Sequence, residues 1–165
     1  MIVLGVDTAL RCTGFGVVEG VGSSLRAIRC GLIKTPQARP HTECLMRLAR
    51  GIRQLIEENR PDVCAIEGIF YCKNVRTAMA LGQARGVVLA VCAEAGVPVF
   101  EHAPRRVKQA VVGSGSAHKE QVGSMVVRLL NLPSAPSEDE TDALALAICH
   151  LHCARHPELS GLESL

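Results

Sequence analysis

Two short apolar runs, each ending in a carboxylate, constrain this chain most. Ile2-Val3-Leu4-Gly5-Val6 runs into Asp7, and Val63-Cys64-Ala65-Ile66 runs into Glu67. The second run is apolar on both faces, the pattern of a sheet strand covered from either side. A further acidic pair, Asp139 and Asp142, opens the run Ala143-Leu144-Ala145-Leu146-Ala147-Ile148. Carboxylates rarely sit beside buried segments unless they are paired or hold a cation. Brought together by two strand ends and a helix start, these four would make an all-oxygen site for a hard divalent metal.

The chain has 165 residues, room for one domain with a real core and too few for two, so residues 1–165 are expected to form a single domain. Strand-like runs at 2–6, 14–18 and 25–33 are joined by short Gly-bearing connections and predict an antiparallel meander. Leu45, Leu48, Ala49, Ile52, Leu55 and Ile56 recur at helical spacing, predicting an amphipathic helix that stops before Pro61. A fourth strand is expected over 62–67, a long helix over 76–95 with Gly96 as its stop, and a fifth strand over 97–101. Three helices follow, over 104–112, 119–130 and 137–154, with a flexible loop Gly113-Ser114-Gly115-Ser116 between the first two. The expected fold class is α/β, a mixed five-stranded sheet flanked by helices on both faces. Its first and fourth strands should be neighbours, setting Asp7 beside Glu67.

Net charge is nearly balanced, but it is unevenly spread. Residues 73–128 carry eight Lys and Arg against three acids, whereas 129–165 carry one Arg against six acids. A basic middle beside an acidic cluster suits a phosphate-rich partner approaching a metal site, although charge alone would favour ordinary surface. Cys12, Cys30, Cys64 and Cys92 lie in apolar stretches, where Cys acts as a small hydrophobe. With no basic leader or cleavage site before the first strand, a reducing cytoplasm is expected. No membrane span is expected either, because the longest apolar candidate, 78–92, is interrupted by Gln83 and Arg85.

Cleaving a phosphodiester needs an activated water, a stabilised leaving oxygen and relief of charge on the phosphorus. Two Mg²⁺ ions about 3.5–4 Å apart supply all three, and three or four carboxylates around an open position fit Mg²⁺ rather than Zn²⁺. Each acid also has a duller explanation. Ser137-Glu138-Asp139-Glu140 matches a capping box, which accounts for Asp139 entirely. It accounts poorly for Asp142, a turn later on the same face as Asp139. Asp7 suits an Asx-type turn. Glu67 has the weakest alternative, since Glu is disfavoured in strands. Singly, each acid is better read as structural; together, on elements expected to converge, they favour a metal site.

Segments spread along nearly the whole chain then carry a family resemblance: Leu4–Asp7 with Thr13–Val17, Ala65–Glu67 through Phe70 with Lys73-Asn74, Leu81–Gly86, Val107–Gln109 with Val111–Gly113, Lys119, and Asp139 with Asp142–Ala145. In this order they resemble the RuvC family of Holliday junction resolvases, bacterial endonucleases with an RNase H-like fold. The resemblance implies that Asp7, Glu67, Asp139 and Asp142 coordinate two divalent ions, Mg²⁺ with Mn²⁺ as a substitute, and cut DNA. It implies that Lys108 and Lys119 support DNA binding and transition-state charge, and that Phe70 stacks on bases near the junction. It also implies a homodimer nicking opposing strands symmetrically in recombination and repair, beside the branch-migration helicase and junction-binding complex of the same pathway. One departure is evident: the family usually has Pro-Gly after the first catalytic Asp, and here Thr8-Ala9 follow Asp7.

Phe70 and Tyr71 are two of only four aromatics, and such a pair near Glu67 can wedge into an unstacked base step, although one ring is better read as core. Candidate phosphate contacts are Lys73, Arg76, Arg105, Arg106, Lys108 and Lys119; each would add about −0.9 to the salt slope of binding. Gly82 and Gly86 allow close helix approach, on the sheet or across a two-fold axis. Cys149, His150, His152, Cys153 and His156 resemble a zinc site, but one helix offers only i, i+4 pairs and closure would need a ligand from elsewhere. Core thiols and surface histidines are the expected reading. Competing functions are a nuclease for RNA–DNA hybrids, a phosphotransferase of the actin and sugar-kinase type, and a non-catalytic junction binder. The phosphotransferase lacks its second Gly-rich phosphate loop, and the pure binder would keep four acids that only repel DNA.

Overall fold

Period-two alternation decides the architecture. In β1 (Ile2–Asp7) and β4 (Val63–Glu67), Leu4, Val6, Cys64 and Ile66 face one way, and Val3, Val63 and Ala65 the other. Both sets are buried, so the sheet needs cover on both faces, as its apolar runs predict. The structure is a computed structural model and describes residues 1–68, 74–155 and 163–165.

β2 (Cys12–Val21) and β3 (Ser24–Lys34) complete an antiparallel meander with β1, and β4 joins β1 in parallel. β5 (Val99–His102) pairs parallel with β4, giving the strand order β3-β2-β1-β4-β5. Asp7 and Glu67 therefore sit at the C-terminal ends of adjacent parallel strands. β2 and β3 run longer than the sequence suggests. They continue into a tight hairpin in which Gly22 takes a positive φ of 54°, and β3, at the sheet edge, has a half-exposed polar pattern that hides its length.

Helices α1 (His41–Asn59) and α2 (Val75–Glu94) cover one face, with Leu48, Ile52, Val88 and Cys92 meeting Leu4, Val17 and Ile66. The other face holds α3 (Pro104–Val112), α4 (Lys119–Leu129) and α5 (Glu138–Ala154), with Val107, Val122, Leu144 and Ile148 packed on Val3, Val18 and Ala65. α5 lies hard against the sheet because two strand glycines leave room for it. A Cβ on Gly5 would collide with the Ala143 carbonyl oxygen, and one on Gly14 with that of Asp139. This close seat carries the first turn of α5 across the ends of β1 and β2.

α2 is long and apolar enough, by length and composition, to cross a membrane. Its inner face instead packs on the sheet core, and its outer face leaves Val75 and Met79 exposed. The seven described cysteines are all free thiols.

Candidate active site

Three of the four acids line one cleft. Asp7 from β1, Glu67 from β4 and Asp142 from α5 share it with Lys108 of α3, Lys119 of α4, and the apolar walls Pro104, Val107 and Leu146. Its volume of about 180 Å³ accommodates a hydrated cation. Asp139 stands at its margin. It does not line the cleft; its carboxylate accepts a hydrogen bond from Cys12 Sγ at 3.1 Å, while its charge is still felt at Asp7. The α5 cap falls to Glu140, whose carboxylate accepts the Ser137 backbone N–H at 2.9 Å, so Asp139 is not consumed by capping.

The acids strain one another. Burial, then the charges of Asp142, Glu67 and Asp139, push the Asp7 carboxyl up to about 7, with Lys119 only partly offsetting them. Glu67 is likewise raised by burial and by Asp142. Lys119 is the compensating cation: Nζ lies 2.8 Å from Asp142 Oδ2 and also pairs with Glu138. Burial works against its charge, but these hydrogen bonds outweigh burial and hold it above the usual lysine range. Even with Lys108 beside it, two ammoniums do not neutralise three or four carboxylates, so the donor set fits a divalent cation.

The remaining candidates divide. Lys108 lines the cleft. Arg105 is exposed beside Gly115 of the Gly-Ser loop, and Arg76 is exposed in the first turn of α2. Arg106 points away from the cleft, its charge felt by His102, Cys149 and Cys153. Phe70, Tyr71, Lys73 and His156 lie outside the described residues.

Two contributors were named in the sequence without a role in the site. Arg85, buried on α2, donates to the Glu67 backbone carbonyl at 2.8 Å and pairs with Glu101, fixing the strand end that presents Glu67. A lone arginine inside an apolar helix is the signal that could have found it. Thr8 places its hydroxyl oxygen in a buried position with no hydrogen-bond partner among the described residues, in a pocket shared with Asp7 and Glu67. The turn after Asp7 is closed instead by Thr13, whose hydroxyl donates to the Ala9 carbonyl and accepts the Ala9 N–H.

The Cys/His segment departs from its expected reading. His150 is buried, not a surface group, and its ring packs 4.7 Å from that of Phe100. His102, with no exposed surface, meets it through Nε2···Nδ1 at 3.3 Å. Burial pushes both imidazoles down to about 4, with His150 and Arg106 adding to the effect at His102.

Acids at the ends of two neighbouring central strands, faced by acids on a helix laid across them, define an RNase H-like nuclease fold. A family model described as "Crossover junction endodeoxyribonuclease RuvC" matches residues 3–150. A crossover junction endodeoxyribonuclease RuvC of Chloroflexus aurantiacus is 46% identical over 99% of this chain and 100% of its own length. One from Alkalilimnicola ehrlichii is 45% identical over 92% of each. Thermus thermophilus RuvC, solved in complex with a Holliday junction substrate, superposes with a TM-score of 0.93 at 34% identity, covering 100% of this chain and 99% of that one. The yeast mitochondrial resolvase Ydc2, at 12% identity and a TM-score of 0.68, shares the fold. This chain belongs to the RuvC family of crossover junction endodeoxyribonucleases.

Proposed function

We propose that residues 1–165 act as a single nuclease domain that resolves four-way DNA junctions by metal-dependent nicking. The observation that carries this reading is the convergence of Asp7, Glu67 and Asp142 in one cleft walled by Lys108 and Lys119. The relative solved with a Holliday junction and the family membership support the substrate.

Asp7, Glu67 and Asp142 are the residues that would hold divalent ions, Mg²⁺ or Mn²⁺, with Asp139 at the margin as a fourth ligand; bound there, the ions supply an activated water and stabilise the leaving oxygen. Lys119, tied to Asp142, orients that carboxylate. Lys108 offers its ammonium to the scissile phosphate as charge develops. Arg85 holds the Glu67 backbone in register, and the Thr8 hydroxyl, unpartnered among the described residues, is available to a phosphate oxygen or an ion-bound water. Phe70 and Tyr71 are assigned to the unstacked bases at the crossover. Lys73, Arg76, Arg105 and Lys108 are assigned to phosphates; Arg106 is the weakest member of that set, given its position beside the thiols.

Symmetric nicking needs two sites on one junction, hence a homodimer. The exposed apolar outer face of α2, with Val75, Met79 and the open surface at Gly82 and Gly86, supports that helix as the two-fold contact. A branch-migration helicase complex is the expected partner, and the cytoplasm the expected compartment. The decisive experiment incubates the protein with a labelled four-way junction, a linear duplex and an RNA–DNA hybrid, with and without Mg²⁺. Cutting confined to the junction and dependent on Mg²⁺ is expected. Equal cutting of all three rejects the reading, and cutting of the hybrid alone promotes a ribonuclease.

A further inference from the structure

A second cluster of metal-ligating side chains lies at the opposite end of α5 from the acids. Cys149 and Cys153, four residues apart, share one face of the helix, and the ligand missing from that helix comes from β5. His102 joins them, and one ligand atom from each of the three lies within 4.8 Å of the others. Cys149 Sγ is 3.6 Å from His102 Nδ1. A tetrahedral ion with ordinary Zn–S and Zn–N bonds holds a thiolate and an imidazole nitrogen about 3.6 Å apart, so this pair already has the required spacing.

We propose that His102, Cys149 and Cys153 bind one Zn²⁺, with water in the fourth position. Two thiolates and an imidazole select a borderline-soft ion and reject Mg²⁺, so the site is chemically separate from the carboxylate cleft. His102 is oriented for ligation: with Nδ1 toward Cys149, its Nε2 meets His150 Nδ1 at 3.3 Å, the outer hydrogen bond that metal-bound histidines make. His150 is in turn held by the Phe100 ring. Water has access, because Cys153 is half-buried and opens onto a surface pocket lined by Ala103, Gln109 and Ala110. Both thiols release their protons to solvent as the ion binds. The bound ion would clamp the C-terminal half of α5 to β5, and so steady the helix whose first turns carry Asp139 and Asp142.

The test uses the full chain, reduced and stripped of metal, with Co²⁺ as the spectroscopic probe. One equivalent of Co²⁺ per chain should give thiolate-to-cobalt charge-transfer absorption with tetrahedral d–d bands, and one equivalent of Zn²⁺ should abolish both. The bands should vanish in Cys153→Ser and persist in Asp142→Asn, which disturbs only the carboxylate cleft. His150→Gln should weaken affinity about 10–100-fold without removing the bands. A measurement on the unaltered chain guards against a variant that fails to fold: alkylation of Cys153, read by mass spectrometry, should slow when Zn²⁺ is added. Absence of thiolate bands, their survival in a folded Cys153→Ser (as they would if Cys64 and Cys92 took the ion), or alkylation indifferent to Zn²⁺ each overturn the proposal.

Discussion

The two ends of α5 put polar side chains beside the same sheet and solve the problem oppositely. At the N-terminal end, Asp142 faces Asp7 and Glu67 across a solvent-open cleft, and like charges are left to repel, with Lys119 paired to Asp142 and Lys108 on the wall. At the other end, His150 and Cys149 are buried against His102, and burial holds both imidazoles down to about 4. An open cluster of carboxylate oxygens suits a hard cation and a phosphate; a cluster of nitrogen and sulfur suits a softer ion. The helix is one rigid element, so its close seat on the sheet fixes both ends at once.

The largest expected effect comes from breaking the acidic end. Asp7→Asn should reduce junction cleavage by roughly 10²–10³-fold or more while leaving junction binding nearly unchanged. The same variant should be more stable than the parent without metal near neutral pH, since it removes a carboxylate that its neighbours resist ionising. A gel-based cleavage and binding assay, paired with thermal denaturation, checks both. Next is the seat itself. Gly5→Ala places a methyl against the Ala143 carbonyl, and should cost about 1–3 kcal/mol in urea denaturation. Displacing Asp142 by even an ångström should slow cleavage by about 10²-fold.

Arg85→Met sharpens the comparison on the far face of the sheet. It leaves Glu101 unpaired and the Glu67 carbonyl without its donor. Because the Glu101 side chain is 38% exposed, the expected loss is about 2 kcal/mol, below that of a fully buried pair. Glu101→Gln in the same background should lose little more.

The last effect needs no substitution. His102 and His150 are depressed to about 4, so below about 6.5 the unfolded chain takes up protons that the folded one refuses. Their contribution is present above that pH and drains away as pH falls toward 4. Asp7 works the other way: raised from 3.8 to about 7, it stabilises the metal-free fold below its unfolded value and loses that contribution as pH rises through 7. Added Mg²⁺ should therefore raise the denaturation midpoint clearly at about pH 8 and little at about pH 5. Equal stabilisation at both would contradict the assignment of the acids.

Much of this was legible because local pattern and global fold agree. The apolar run before Glu67 pointed to an interior strand, and its adjacency to the strand of Asp7 followed from the order of the elements; that the two run parallel is seen in the structure. α3, over 104–112, was legible to the residue because Pro104 opens it and Gly113, at a φ of 79°, closes it. The sequence pattern misled where contact partners lie far apart along the chain. Nothing near Cys149 announces His102, 47 residues away, and nothing near Asp139 announces that Cys12 Sγ would engage it. Arg106 was grouped with its neighbours by charge alone, but adjacent helix positions face different ways, and it turns toward the thiols while Lys108 turns toward the acids. β5 begins at Val99 rather than Val97 because Pro98 cannot donate to the ladder, although its carbonyl still accepts the Cys64 N–H at 2.9 Å.

The central claim is that Asp7, Glu67 and Asp142 hold a shared cation, and Mn²⁺-soaked crystals test it most directly through anomalous scattering. A Mn²⁺ peak is expected within coordinating distance of carboxylate oxygens from all three residues, lost in Asp7→Asn. A cleft without such a peak at saturating Mn²⁺, or an ion held by Asp142 and Glu138 with Asp7 uninvolved, would contradict it.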